Sequence, residues 1–250
     1  MGKLFEGLKK TAKAKGSGFL LLLDPDRVTP SSVAVIGGIA EKAGVDAFLV
    51  GGSLLLSDAF EEAIKTLKSA SQLPVYIFPG SVSQLSRYAD GILFLSLITS
   101  RNPTYLIDKH VRAAPMIKRM GLECVPVGYM LVESGKLSSV EFMSNTRPVP
   151  RDKADVAMAH ALAAEYLGMQ AVYLEGGSGA KRPVPEGMIK AVKEYISVPV
   201  IVGGGLRTPS EARSRAKAGA DFIVIGTALE GGKEVRRLRE FAKAIHWRTR

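Results

Sequence analysis

Eight short apolar runs recur along the chain, separated by segments whose apolar residues repeat at helical spacing. The runs are FLLLLD (19–24), DAFLVGG (46–52), PVYIFPG (74–80), GILFLSL (91–97), LECVPVGYMLV (122–132), AVYLEGG (171–177), VPVIVGGG (198–205) and DFIVIGT (221–227). Continuous apolar strands covered by intervening helices are typical of a parallel sheet. Eight of them predict an α/β fold, a closed (β/α)8 TIM barrel.

One interval departs from this alternation. Between PVYIF (74–78) and GILFLS (91–96) the chain has only PGSVSQLSRYAD (79–90), which is short for a crossover helix with its two loops. We therefore predict a shortened or missing helix between strands 3 and 4. No composition break or low-complexity tract marks a linker, so the pattern predicts a single domain over residues 1–250.

Composition excludes several classes of protein. With 250 residues, 46% of them hydrophobic, the chain is long enough for a large core. The single cysteine, Cys124, cannot form an intrachain disulfide, and we interpret it as a buried strand residue. The run FLLLL (19–23) is too short to span a bilayer and the N-terminus lacks the apolar core of a signal peptide, so we predict a cytoplasmic protein.

The net charge of +10 allows an anionic partner, which could be a nucleic acid, a phosphorylated substrate or a membrane surface. Much of the charge lies in the last segment, GGKEVRRLREFAKAIHWRTR (231–250). We interpret this segment as a surface helix packed through one apolar stripe, formed by Val235, Leu238, Phe241, Ala242 and Ile245. Known nucleic-acid motifs are absent and the basic residues do not alternate with aromatic ones, so we expect no nucleic-acid partner.

Glycine turns follow the seventh and eighth runs, on the barrel face where the strands end and where catalytic groups of such barrels lie. Such turns let backbone N–H groups approach an anion closely, and helix N-termini add their positive dipole ends. Thr208 and Glu211 form a capping box that begins the next helix. We infer a phosphate site at Gly204, Gly205, Gly226 and Thr227. The alternative is that these glycines serve only as tight turns.

The stretch YLEGGSGA (173–180) ends the sixth strand on a carboxylate and continues into glycines. Gly176, Gly177 and Gly179 let the backbone close around a small polar ligand, and Ser178 supplies a hydroxyl. A carboxylate at a strand end, aimed at a bound alcohol, can act as a general base. We therefore predict Glu175 as the base, against the alternative that it only caps the following loop.

A second carboxylate cluster, LLLLDPDR (20–27), ends the first strand. Asp24 is its strand-end member, and Ser53, at the end of the second strand, could add a hydroxyl. Oxygen ligands without nearby histidine or cysteine favour Mg²⁺ over zinc. The three histidines fall in predicted helices, and we interpret them as structural or solvent-facing: His110, His160 and His246.

Eight motifs in order carry a resemblance over essentially the whole chain. They are LLDPD, GGSLL, IFPGSVSQLS, SLITSRNPTYLI, VPVGYMLVESG, YLEGGSGA, VGGGLRTPSEA and ADFIVIGTALE. Together they resemble the geranylgeranylglyceryl phosphate synthase family, closer to its second group than to the bacterial heptaprenylglyceryl phosphate synthases. Arg27 and Thr99 stand where Lys and Asn are expected in that family, and Gly176 stands where Ala is common.

The resemblance implies a Mg²⁺-dependent prenyltransferase that joins sn-glycerol 1-phosphate to a polyprenyl diphosphate, with geranylgeranyl diphosphate as the expected donor, in ether lipid synthesis. By motif, Asp24 and Ser53 would hold Mg²⁺ and Glu175 would take the proton of the attacking hydroxyl. The residues implied to surround the glycerol phosphate are Tyr173, Leu174, Glu175, Gly176, Gly177, Ser178 and Gly179. Those implied to bind its phosphate are Gly204, Gly205, Gly226 and Thr227.

A long apolar tail needs a site of its own. The short connection over 80–90, with Ile98 and the segment 105–107 after the next strand, would open a groove between barrel and helices. The alternative is that Tyr105 and Ile107 are ordinary core residues. We also expect a homo-oligomer, and peripheral membrane contact stays open. The rival functions are another phosphate-binding barrel, such as a thiamine phosphate synthase or a sugar-phosphate isomerase, and a non-catalytic protein that binds anions or membranes.

Overall fold

The computed structural model describes residues 2–226 and 234–248. Eight parallel strands form a closed barrel in chain order, and β8 pairs with β1 to close it. The strands are β1 (Gly18–Leu23), β2 (Ala47–Val50), β3 (Val75–Ile77), β4 (Gly91–Leu97), β5 (Glu123–Leu131), β6 (Ala171–Glu175), β7 (Val200–Gly203) and β8 (Phe222–Ile225). The predicted (β/α)8 barrel is confirmed, with one strand at each of the eight apolar runs.

Helices cover the outside of the barrel. They are α1 (Lys3–Lys15), α2 (Pro30–Ala43), α3 (Ala59–Ala70), α4 (Lys109–Met120), α5 (Ser139–Ser144), α6 (Ala154–Tyr166), α7 (Glu186–Tyr195), α8 (Pro209–Lys217) and α9 (Glu234–Ile245). A 3-10 turn covers Pro25–Arg27, and a π-helical turn over Thr104–Asp108 leads into α4. The predicted capping box of α8 is present, with Thr208 and Glu211 as its two members.

No helix lies between β3 and β4, as predicted. The connection is organised by buried Gln84, whose side chain accepts from the Gly80 N–H at 3.0 Å and donates to the Gly52 carbonyl at 2.9 Å. One side chain therefore joins the loops after β2 and β3. Because no helix covers the barrel here, space remains beside β4.

The strands separate two apolar layers, because successive side chains of a strand point to opposite faces. Leu20, Leu49 and Tyr76 belong to the barrel interior, whereas Leu21, Phe48 and Ile77 pack between barrel and helices. Cys124 corrects one expectation. It lies in β5 as predicted, but it is exposed rather than buried, because it faces outward at the start of the strand.

Helix α1 closes the end of the barrel where the strands begin. The Glu123 carboxylate accepts from the N–H groups of Leu4 at 2.9 Å and Phe5 at 2.8 Å, and the Phe5 ring stacks on Phe222 with centroids 5.9 Å apart. Anions are favoured at a helix N-terminus. This end is therefore sealed, and the opposite end, where the strands terminate, is left for function.

Helix α9 confirms most of the predicted stripe. The buried members are Leu238, Phe241, Ala242 and Ile245. Val235 is the exception, since it is 39% exposed in the first turn of the helix. Across residues 2–226 and 234–248, no helix has the length and apolar character needed to cross a membrane.

Candidate active site

Glu175 is the last residue of β6, and only 6% of it is exposed. Its carboxylate accepts a hydrogen bond from the Gly177 N–H at 2.5 Å. Burial raises the pKa of Glu175, and the smaller opposing effects of the Gly177 N–H and of two tyrosine hydroxyls, Tyr173 and Tyr129, leave it above its ordinary value. A carboxylate with a raised pKa is a stronger base than an exposed one.

Tyr129 and Tyr173 stand side by side, because β5 and β6 pair with these two residues in register. Their ring centroids are 5.2 Å apart, and both hydroxyls interact electrostatically with the Glu175 carboxylate. Within the described part of the chain, the buried Tyr173 hydroxyl has no hydrogen-bond partner of standard geometry. Buried hydroxyl groups normally form hydrogen bonds, so a polar ligand bound beside the Glu175 carboxylate could supply the hydrogen bond that Tyr173 lacks.

The turn after β7 touches the loop after β6. Gly204 has a φ of +83°. A methyl group there would overlap the Glu175 carboxylate and lie 2.5 Å from the Gly177 nitrogen and 2.8 Å from the Gly176 nitrogen. Position 204 therefore requires glycine. The structure brings the predicted base into direct contact with part of the predicted phosphate site.

Two further glycines of the predicted phosphate site differ in the space around them. Gly205 has a φ of +74°. A methyl group added to Gly205 would lie 3.1 Å from the Ala180 side chain, which is a tight contact. For a methyl group on Gly226, which follows β8, the three nearest atoms among the described residues all belong to Leu22, at an ordinary 3.6 Å. The fourth predicted residue, Thr227, lies outside the described residues.

The predicted glycerol-binding segment begins in a strand and continues into a loop. Leu174 is buried between barrel and helices, so its side chain faces away from the barrel interior that holds Tyr173. Only the backbone of Leu174 is therefore available to a ligand. Ser178 and Gly179 are exposed in the loop after β6.

The Asp24 carboxylate lies at the carboxyl end of β1 next to β2. Each of its oxygens is 3.4 Å from a methyl group added to Gly52, the residue before Ser53. It accepts from the Asp26 N–H at 3.1 Å and pairs with the Arg27 guanidinium at 3.4 Å. Burial raises the pKa of Asp24 by more than these contacts lower it.

Asp26 has a structural role instead. Its carboxylate accepts from the N–H groups of Leu56 at 2.7 Å and Ser57 at 3.1 Å, which fixes the loop after β2. Among the residues that the structure describes, no group of three or more His, Cys, Asp or Glu side chains could hold a metal. The single Asp24 carboxylate at the strand ends is compatible with Mg²⁺, because this ion often binds through one or two carboxylates and keeps positions for water and substrate phosphates.

An apolar cavity of about 250 Å³ leads away from this face. It begins at Ser53, Phe78 and Tyr129, and passes between β4 and α4 as far as Ile117. Its apolar lining includes Val82, Leu85, Ile92, Phe94, Leu95, Leu97, Ala113, Val140 and Met143. From Leu97 to Ile92 the wall follows β4 for roughly 16 Å, at about 3.3 Å per residue.

The cavity agrees in part with the predicted groove. Tyr105 lines it, and its hydroxyl donates to the Met143 carbonyl at 2.8 Å. Lys109 lies 4.3 Å above the Tyr105 ring and donates to the Gly80 carbonyl at 3.2 Å, so these contacts close the outer wall. Ile107 is exposed, and Ile98 packs against the core, so neither residue lines the cavity.

The histidines make structural contacts. His110 lies 3.0 Å from the Ser96 hydroxyl in the cavity wall. His160 lies in α6 with a ring nitrogen 2.8 Å from the Val156 carbonyl. His246 was predicted to lie within a helix, but α9 ends at Ile245, and His246 follows it with a ring nitrogen 2.8 Å from the Asp46 carboxylate.

Sequence reasoning missed Phe78 and Tyr129, which stand between Glu175 and the apolar cavity. Strand alternation carried a signal for Tyr129, because it lies at the same depth as Tyr173 once β5 and β6 are paired. Thr99, one of the departures from the family pattern, accepts from the Leu131 N–H at 3.3 Å. It therefore supports the end of β5.

The fold and this site define the class of protein: a (β/α)8 enzyme with a buried carboxylate and an apolar cavity at the ends of its strands. The family model described as PcrB matches residues 10–245. The chain belongs to the PcrB family.

Relatives and a solved structure agree with this assignment. The chain is 46% identical over 235 residues to the geranylgeranylglyceryl phosphate synthase of Chitinophaga pinensis, covering 94% of this chain and 92% of that protein. It is 46% identical over 221 residues to the enzyme of that name from Thermococcus kodakarensis, covering 88% and 87%. The crystal structure of (S)-3-O-geranylgeranylglyceryl phosphate synthase from Thermoplasma acidophilum, in complex with sn-glycerol-1-phosphate, superposes with a TM-score of 0.92 at 36% identity over 99% of both chains.

Proposed function

We propose that this chain is a prenyltransferase that joins sn-glycerol 1-phosphate to geranylgeranyl diphosphate and releases diphosphate. The observation that carries the proposal is the buried Glu175 carboxylate, which lies between the glycine turn at Gly204 and the mouth of an apolar cavity. A polar acceptor and an apolar donor would meet there. The names of the relatives and the ligand of the Thermoplasma enzyme support the same reaction.

The acceptor site is proposed from the glycine turns and the β6 segment. The N–H groups near Gly204, Gly205 and Gly226 would bind the phosphate, as backbone amides at turns and helix starts commonly do. Tyr173 and the loop 176–179 would surround the glycerol. The buried Tyr173 hydroxyl supports this assignment, because it makes no hydrogen bond of standard geometry among the described residues and a substrate hydroxyl beside Glu175 would supply one.

The chemistry is a substitution at an allylic carbon. The C3 oxygen of the glycerol forms a bond to C1 of the prenyl chain, the C1–O bond to diphosphate breaks, and the electron pair leaves with the diphosphate. Glu175 takes the proton from the C3 hydroxyl. Burial raises the pKa of Glu175, which brings a glutamate closer to the basicity that proton abstraction at neutral pH requires.

Asp24 and Ser53 are the residues that would hold Mg²⁺. The bound ion would neutralise charge that develops on the departing diphosphate. Asp24 fits this role because its carboxylate lies beside Gly52 at the end of the barrel where the strands terminate, and carboxylate oxygens are ligands that Mg²⁺ prefers. Ser53 also lines the cavity, so the diphosphate would lie where the apolar tail begins.

The proposal also covers location, self-association and membrane contact. We propose a cytoplasmic homo-oligomer. Several large apolar side chains are exposed and offer surface for self-association: Leu56 is 85% exposed, Tyr166 80%, Leu167 74% and Phe142 71%. The same side chains would serve a peripheral membrane contact. Sedimentation with and without anionic vesicles separates the two uses.

The decisive experiment is a turnover assay that crosses both enantiomers of glycerol phosphate with prenyl diphosphates of several lengths. We expect product from the sn-1 enantiomer with the C20 donor and little from the other enantiomer. Turnover of a thiamine precursor or a sugar phosphate, with none of prenyl donors, would instead identify another phosphate-binding barrel. Salt-sensitive binding of anions without any turnover would point to a non-catalytic protein.

A further inference from the structure

Three aromatic rings meet where the apolar cavity reaches Glu175. The Phe78 ring is stacked on Tyr173 with centroids 5.5 Å apart and lies 6.0 Å from Tyr129. Phe78 and Tyr129 line the cavity, and Tyr173 comes two residues before Glu175 in β6. The cluster therefore forms the boundary between the apolar cavity and the buried carboxylate.

Phe78 also adjoins the opposite side of the site. It follows β3, its N–H donates to the Val50 carbonyl at 2.9 Å, and its own carbonyl lies against Gly51. Gly51 is followed by Gly52, which lies beside the Asp24 carboxylate, and then by Ser53. Phe78 is thus placed between the groups assigned to the diphosphate, Asp24 and Ser53, and the group assigned to the proton, Glu175.

The reacting carbon must occupy this same interval, because its bond to diphosphate breaks on one side and its bond to the glycerol oxygen forms on the other. As the C1–O bond breaks, the electron pair leaves with the diphosphate and positive charge develops over the allylic carbons. The glycerol oxygen then supplies a pair to C1, and its proton passes to Glu175. An aromatic face within about 6 Å attracts a cation through its quadrupole.

We propose that Phe78 is a catalytic residue whose ring stabilises the allylic cation, with Tyr129 forming the second aromatic wall. The inference rests on the proposed prenyl transfer and adds a residue that acts in its transition state. Phe78 suits this role because its side chain has no polar group that could capture the cation. The two tyrosine hydroxyls interact instead with the Glu175 carboxylate.

Phe94 provides a matched comparison within the same cavity. It also lines the wall, but on the outer face of β4, where its ring meets His110 edge to face at 4.5 Å. Both phenylalanines would contact an apolar tail. Only Phe78 lies at the end where bonds change.

The test replaces Phe78 with mono-, di- and trifluorophenylalanine, since fluorine withdraws electron density from the ring with little change of size. The single-turnover rate with geranylgeranyl diphosphate should fall stepwise, by about 3- to 30-fold over the series. Affinity for an unreactive thiolodiphosphate analogue of the donor should stay constant. Phe78→Leu, which keeps an apolar wall without a π face, should be slow with unchanged analogue affinity.

The same fluorine series at Phe94 gives the slope expected of a phenylalanine that only lines the cavity, and the slope at Phe78 should be steeper. A flat series at Phe78, or equal slopes at Phe78 and Phe94, would overturn the inference and leave Phe78 as cavity lining. The wild-type assay comes first and separates the two levels: absence of prenyl transfer by the wild type overturns the proposed function itself, whereas normal wild-type turnover with a flat series overturns only the role of Phe78.

Discussion

Burial of the Glu175 carboxylate has two consequences that oppose each other. It makes the carboxylate a better base, and it destabilises the folded protein whenever the group is ionised. Because the pKa is raised on folding, the folded state binds the proton more tightly than the unfolded chain does. Stability therefore falls as the pH rises above the unfolded pKa, about 4.3 for glutamate.

Glu175→Gln keeps the shape and an acceptor for the Gly177 N–H, but it cannot take a proton. We expect kcat to fall about 10²- to 10⁴-fold, the usual contribution of a general base, with a much smaller change in glycerol phosphate affinity. The same variant should unfold at a higher temperature than wild type at pH 7. Near-normal kcat with weakened binding would show that Glu175 is a clamp rather than the base.

Tyr129→Phe tests the environment of the same carboxylate. The Tyr129 hydroxyl lowers the pKa of Glu175, so its removal should raise that pKa further. Activity requires the ionised base, and the acidic limb of the kcat/KM profile should therefore move to higher pH. An acidic limb that stays in place, measured with wild type alongside, would assign that limb to a different group.

Asp24→Asn tests the metal assignment. The amide keeps the size of the side chain but loses the charge that a divalent cation needs. We expect turnover to be lost and the affinity for glycerol phosphate to be retained. If some activity remains, the Mg²⁺ concentration that gives half of the maximal rate should be higher than for wild type. Asp26→Asn is the matched control for metal dependence, since that carboxylate binds the N–H groups of Leu56 and Ser57. Unchanged Mg²⁺ dependence in Asp24→Asn would remove it from the site.

At the scale of elements, the turns after β7 and β8 present two glycines that play different parts. Gly204 needs its positive φ and has no room for a methyl group, so Gly204→Ala should lower stability and activity together. Gly226 has room, so Gly226→Ala should fold normally. If phosphate approaches that turn, the methyl group should raise the KM for glycerol phosphate by about 10-fold, roughly 1.4 kcal/mol.

Gly187→Ala provides the control for the Gly226 experiment. Gly187 lies in α7, and a methyl group added there meets nothing within 4 Å. It should leave the KM unchanged and stabilise the helix slightly. A Gly226→Ala enzyme with wild-type KM for glycerol phosphate would show that the turn after β8 is structural.

The strands were predictable from the sequence because a barrel strand is buried on both faces, which makes it apolar along its whole length. The missing helix was predictable because the interval 79–90 is too short for one. The boundary between the active site and the apolar cavity could not be predicted from the sequence. Tyr129 approaches Glu175, and Phe78 stacks on Tyr173, only through the pairing of separate strands, and no local pattern of one chain segment contains that information. The outward position of Cys124 likewise depends on which strand end the helices leave uncovered.

At the scale of the whole molecule, one arrangement of hydrogen bonds recurs at the closed end of the barrel. An aspartate just before an even-numbered strand accepts a hydrogen bond from an N–H group at the start of the preceding odd-numbered strand. It accepts another from a lysine of the helix that leads into that odd-numbered strand. The sets are Asp46 with Phe19 and Lys15, Asp90 with Val75 and Lys68, and Asp221 with Val200 and Lys193. Before β6 the position is Gln170, whose buried side-chain oxygen has no partner among the described residues.

Asp46 differs from the other two because it joins both ends of the described chain to the barrel. Lys15 ends α1, and His246, which follows α9, lies 2.8 Å from the same carboxylate. Burial raises the pKa of Asp46, but hydrogen bonds from His246, Lys15 and the Phe19 N–H outweigh it and hold the pKa below its ordinary value. Its contribution to stability is therefore complete above about pH 4 and is lost as the pH falls through the lowered pKa.

Asp46→Asn should lower the free energy of unfolding at pH 7 by roughly 3 kcal/mol, the low end for a broken buried pair, because Asn can still accept from the Phe19 N–H. Asp221→Asn is the matched control and should lose less, since the Asp221 side chain is 30% exposed whereas that of Asp46 is 5% exposed. Urea unfolding between about pH 6 and pH 3 should show that the loss of unfolding free energy caused by Asp46→Asn becomes smaller as the pH falls.

Both variants should retain kcat, because these aspartates lie at the opposite end of the strands from Glu175. Equal deficits, or an Asp46 deficit independent of pH, would show that this carboxylate does not tie the chain ends to the barrel.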